Sequence, residues 1–153
     1  LPTGPVLRRG GAMLADEVQP GTASLVPLAG ISWLHLRGPF SLYGSSTLRL
    51  PGESRMGFTA GTAVLATAAA QLQPWHLLSL RLGLDGRWED RATEAGGIRP
   101  DTGGTALFAS PAILLSPATD WLLHAQVQLP VFQRMHGAHT EGAGFSLGVT
   151  RDL

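Results

Sequence analysis

The sequence predicts an all-β fold: an antiparallel up-and-down transmembrane β-barrel, or the C-terminal part of one, with about seven or eight strands. Three observations predict it. Apolar and polar residues alternate with a period of two over several long stretches; the composition is poor in charge and has no lysine; and the links between the stretches alternate between long and short.

The alternation is cleanest from Trp121 to Phe132. Trp121, Leu123, Ala125, Val127, Leu129 and Val131 point one way, and Leu122, His124, Gln126, Gln128, Pro130 and Phe132 the other, because successive strand side chains leave opposite faces. A helix would scatter the apolar residues around its circumference, and Pro130 would break its last turn. The pattern recurs between His76 and Glu89: Leu78, Leu80, Leu82 and Leu84 share one face, and Ser79, Arg81, Gly83, Asp85, Arg87 and Glu89 share the other. In a soluble sandwich the apolar face is the core and the polar face meets water, whereas in a transmembrane barrel the apolar face meets lipid and the polar face lines a lumen. Alternation by itself does not choose between them.

Composition bears on that choice. Charged residues make up 14% of the chain, against roughly 25% in an average soluble domain. All eleven basic residues are arginines. Soluble β-proteins guard edges and surface with Lys and Glu, so a lysine-free, charge-poor chain fits a body whose outside is not all in water. The formal net charge of zero gives no electrostatic case for nucleic acid as a partner. The absence of cysteine removes disulfide frameworks, thiolate metal sites and cysteine nucleophiles. No uncharged apolar run reaches the length of about 18 residues that a membrane helix needs. No signal peptide is recognisable ahead of the first loop, and a fragment or mature chain is expected.

A single domain over residues 1–153 is expected, with the elements in the following order. Residues 1–21, rich in Gly and Pro, read as a loop, and the strands occupy 22–153. Residues 22–36 (TASLVPLAGISWLHL) form an apolar extended run, closed by Arg37, Gly38 and Pro39. Phe40 to Leu50 places Phe40, Leu42, Leu48 and Leu50 on one face and Ser41, Tyr43, Ser45, Thr47 and Arg49 on the other, and Pro51 to Glu53 supply a short turn. Residues 55–72 read as a strand despite the helix propensity of AVLATAAAQL, because Gly57, Gly61 and the threonines are poor helix material. Gln73 and Pro74 turn the chain into the leucine strand at 77–88. Residues 89–104 form a long loop, 105–115 a strand, 116–120 a tight turn, 133–144 a second long loop, and 145 onwards the last strand. Long and short links thus alternate back from the C-terminus, the short link at Pro51 being the one break in the regularity.

The C-terminal third carries a resemblance. GGTALFASPAILLSP followed by LLHAQVQLPVFQRMHG resembles the end of transporter-like bacterial outer-membrane β-barrels, including the family associated with a phenol meta-cleavage pathway. The matching positions are Gly103, Gly104, Pro111, Gln128, Leu129, Pro130, Val131, Gln133, Arg134 and Gly137. Two features depart from that pattern. The chain ends in RDL where such barrels usually carry a terminal aromatic residue, and the N-terminal strands of a full barrel are not recognisable. The resemblance implies a location in the outer membrane of a Gram-negative bacterium, with lipid as a partner and a small solute as cargo.

Several groups of polar residues are candidates for function. Arg49, Ser79, Arg81, Asp85, His124, Gln126 and Gln128 are the expected lumen-lining residues. Arg81 and Asp85, with Arg87 and Glu89, form either a charged constriction that sets selectivity or a set of ion pairs filling a small lumen. His124, Gln126 and Gln128 either line a polar path or hydrogen-bond to neighbouring strands. Met135, His136 and His139 are of types that bind copper, but three residues in a loop match a solvated loop better, and no metal or cofactor is expected. No nucleophile elbow, paired-carboxylate setting or phosphate-binding glycine motif is present, which argues against an enzyme. The expectation is a porin-like passive channel or transport protein for small solutes; the alternative is a soluble β-barrel or sandwich that holds an apolar ligand inside.

Overall fold

A computed structural model describes residues 24–54, 57–138 and 140–151, together with the backbone of 8–9 and 12–13. The described residues are all-β and antiparallel, without a helix. The strands are β1 (Arg8–Arg9), β2 (Ala12–Met13), β3 (Leu28–Arg37), β4 (Phe40–Arg49), β5 (Phe58–Thr59), β6 (Ala63–Trp75), β7 (Leu78–Glu89), β8 (Thr93–Glu94), β9 (Gly97–Ile98), β10 (Gly104–Leu115), β11 (Trp121–Met135) and β12 (Gly144–Arg151). The long strands form one seven-stranded meander in the order β12-β11-β10-β7-β6-β4-β3, in which each strand pairs with its nearest long neighbour in the chain. Among the described residues β3 and β12 are both edges and do not pair with each other, so the sheet is open. The loop expected over 1–21 falls largely outside the described residues, although β1 and β2 pair as a small hairpin.

The expected strands are present, with shifted ends. The main change is at residues 50–62, where a short turn at Pro51 was expected to lead straight into a strand. The long strand begins only at Ala63. Gly57 adopts a positive φ of 78°, which takes the backbone out of the extended region, and β5 leaves the main sheet to pair with β8. The link is therefore long, and the irregularity expected at Pro51 disappears. Residues 38–39, 76–77 and 116–120 make short turns at one end of the sheet, and 50–62, 90–103 and 136–143 make long links at the other.

The long links are tied together. The Asp90 amide donates to the Thr62 carbonyl at 2.8 Å, the Ala95 amide to Gly57 at 2.9 Å and the His136 amide to Gly103 at 3.1 Å. A three-stranded sheet, β5-β8-β9, links the first two of them.

Prolines mark the irregular points of the ladder. The β10–β11 register shifts where Phe108 faces Pro130 while Leu107 faces Phe132, leaving Val131 as an extra residue. Pro130 has no N–H to give to the ladder, and such residues are tolerated at bulges. The bulge corrects one expectation: Phe132 joins Leu107 on the apolar face, and Gln133 and Met135 take over the polar face. A second shift spans Pro74 in β6. β11 also runs on to Met135, into the segment expected to be a loop.

Candidate functional site

The cross-strand register sorts the sheet into two faces. On the first lie Arg49, Ala63, Glu89 and Gly104 in one row, Thr67, Asp85, Phe108 and Pro130 in a second, Arg81, Ala112, Gln126 and Ser146 in a third, and Ser79, Leu114, His124 and Gly148 in a fourth. Gln128, opposite Gly144, belongs to the same face. All seven residues expected to line a lumen therefore share one face.

This polar face is the more buried one. Ala63, Ala69, Ala106, Phe108, Ala112, Ser79 and Ser110 are buried, and all lie on it. The cause is visible in the bonds. Arg81 Nη2 donates to Gln126 Oε1 at 2.7 Å across the intervening Ala112, and Arg49 Nη2 meets Glu89 Oε1 at 2.9 Å across Ala63. Long polar side chains thus reach over small ones and cover them. Asp85 accepts hydrogen bonds from Thr67 Oγ1 at 3.0 Å and from Ser110 Oγ. Arg87 pairs with Glu141, which arrives from the link 136–143. The Gln133 side chain holds the Glu141 backbone from both sides, donating to its carbonyl at 2.6 Å and accepting from its amide at 2.9 Å. This clamp folds the link over the polar face.

The sequence offered two outcomes for Arg81 and Asp85, and the structure divides them. Among the described residues neither is in an ion pair; both are held by neutral groups, while Arg49–Glu89 and Arg87–Glu141 are ion pairs. Arg49 Nε is buried without a hydrogen-bond partner. His124 bonds to a neighbouring strand rather than standing free: its Nε2 lies 3.4 Å from Ser146 Oγ, and its ring covers Gly148, where a Cβ would come within 2.0 Å of His124 Cε1. Trp33 covers Gly44 in the same way on the opposite face. Rings lying over strand glycines fill the space a side chain would otherwise take.

The second face is apolar and open. Leu80, Leu82 and Leu84 are 43%, 58% and 46% exposed, and Phe145, Leu147 and Val149 of β12 are more exposed still. No large side chain among the described residues is fully buried. Of the aromatic residues on this face, Phe40, Trp75 and Trp121 lie near the short turns and Trp88 and Phe132 near the long links, whereas Trp33 sits in the middle of β3 opposite Gly44 and Phe145 is level with Val127 in the middle of β11. Arg151 lies over the Trp121 ring, 5.4 Å from its centroid. Strand β3 departs from the two-face pattern. Leu28, Leu34 and Leu36 face the polar side and Ile31 and Trp33 the apolar side, and all five are exposed.

Of the histidine and methionine group only Met135 and His136 are among the described residues. Met135 ends β11 with its Sδ against Gly104, His136 follows it with Nδ1 buried, and His139 lies outside the described residues. No group of three or more His, Cys, Asp or Glu side chains suited to a metal occurs among the described residues. No family model matches the chain, and no curated protein is similar to it.

Proposed function

We propose that this chain forms part of an outer-membrane β-barrel, with the leucine face toward lipid and the polar face toward a water-filled interior through which small solutes pass. One observation carries the reading. Burial is inverted relative to a soluble protein: the small and polar residues are covered and the large apolar ones are exposed.

The dimensions agree. Trp75 is level with Leu78, ten residues along β7 from Trp88. Ten residues rise about 33 Å, and a strand tilted by about 40° covers about 25 Å of that along the membrane normal, the height of the apolar band in such barrels. Trp75 and Trp88 then stand at the two interfaces, where amphipathic rings are favoured. The sorting of long and short links to opposite ends fits the same architecture.

Strands β3 and β12 run in the same direction, since an odd number of antiparallel strands separates them. Antiparallel closure therefore calls for an odd number of further strands between these edges, in keeping with the even strand count of bacterial barrels. The alternative, an apolar ligand held inside a soluble barrel, requires the leucine face to be enclosed, and nothing among the described residues covers it.

Conductance tests the proposal. The closed barrel that contains this chain, reconstituted into planar bilayers, is expected to conduct, and Arg81→Glu is expected to fold and to move selectivity toward cations. The Gln126 amide can turn its NH2 group to the new carboxylate, so folding is spared. Folded, membrane-inserted protein that passes no current in either form would refute the channel.

A further inference from the structure

We propose a binding site for a small organic cation on the polar face, centred on Asp85. The site deepens the channel reading and rests on it for the route by which a solute arrives. Asp85 opens into a groove of about 450 Å³ that is also lined by Leu65, Phe108, Gln128, Arg87 and Glu141. That volume suits a small molecule.

The charges in the groove sum to minus one. Arg87 and Glu141 neutralise each other in an ion pair, and Asp85 is left with two hydroxyl donors and no cation among the described residues. Thr67 and Ser110 fix the carboxylate from its own strand's two neighbours, β6 and β10, which leaves its remaining lone pairs free to accept from a ligand. The next cation along β7, Arg81, lies four residues away and outside the groove, with its guanidinium turned to Gln126.

The rest of the lining defines what the cation carries. Phe108 stands directly opposite Asp85 in the register and is buried, so an ammonium on Asp85 meets an aromatic neighbour whose ring face attracts cations. Leu65 gives an apolar wall for a short hydrocarbon body, and the Gln128 amide supplies one polar contact. The clamped link 136–143 closes the groove on the side of Glu141. The fitting ligand is an alkylammonium or guanidinium with a compact apolar tail; an anion would meet the uncompensated carboxylate.

Solution NMR of the full chain in detergent micelles tests this with butylammonium as the probe, against isosteric 1-butanol and butyrate. Butylammonium is expected to shift the Gln128 side-chain amide and the Gly86 backbone amide saturably, with the other two leaving both unmoved. Asp85→Asn is expected to weaken the ammonium about tenfold or more. The variant should fold, because Thr67 and Ser110 can donate or accept as the new amide requires. Equal shifts with butanol, or an Asp85→Asn protein that titrates like the wild type, would overturn the site. If the variant does not fold, the wild-type comparison of ammonium with alcohol decides alone. Conductance of the closed barrel in planar bilayers separates the two proposals: charge-selective binding without current removes the channel and keeps the site, and current without such binding removes the site and keeps the channel.

Discussion

Replacing Leu82 with arginine measures directly what the leucine face touches. Leu82 is 58% exposed, between Ala70 of β6 and Pro111 of β10, so the new side chain meets no steric obstacle. If that face is in water, Leu82→Arg is an ordinary surface substitution and changes stability by no more than about 0.5 kcal/mol. If it is in lipid, depth decides the cost. Leu82 is four residues from Leu78, about 10 Å along the normal at a tilt of about 40°, and so within a few ångströms of the middle of a band about 25 Å tall. The expected cost there is about 2–4 kcal/mol, against about 0–1 kcal/mol for Leu78→Arg, which stands level with Trp75 near the interface. Urea titration of folding into lipid vesicles, followed by the four native tryptophans, reads both values. Equal and small costs at the two positions would refute the lipid-facing assignment.

Other expectations follow from single contacts. Glu89→Ala leaves the half-buried Arg49 guanidinium without its carboxylate and should cost about 1–2 kcal/mol in the same titration, whereas an apolar pair at both positions should restore most of it. Gly148→Ala drives a methyl into the His124 ring and should cost about 1–3 kcal/mol; adding His124→Ala should recover most of the loss, and strict additivity of the two changes would show that the ring does not occupy that space. Because the chain has no cysteine, single cysteines report sidedness cleanly. Thiols placed in 50–62, 90–103 or 136–143 should react with an impermeant maleimide from one side of the membrane, and thiols in 76–77 or 116–120 only from the other; labelling of both sets from one side would refute the sorted-loop topology.

The two-residue period was enough to determine the strands and their faces. Ser79, Arg81 and Asp85 share a face with His124, Gln126 and Gln128 because alternation is a local property of extended backbone, and it survives wherever the ladder is regular. It failed where the ladder is not regular. Nothing local in VFQRM reveals that Val131 is extra; the bulge exists because Pro130 cannot bond to β10, so the facing of Phe132 depended on a neighbouring strand. Likewise the sequence at 55–62 alternates well enough to read as strand, but Phe58 and Thr59 pair with Thr93 and Glu94 from a distant link. Partnerships were the least legible part. That Arg81 reaches Gln126, that Asp85 is held by Thr67 and Ser110, and that Glu141 turns inward to Arg87 are facts of register and of a folded-back loop. The sequence by itself determined an all-β chain with one polar and one apolar face, because that needs only the geometry of a single strand. Only the tertiary structure decided which face is covered and which charges stay unpaired, because both depend on side chains meeting across strands that are far apart in the chain.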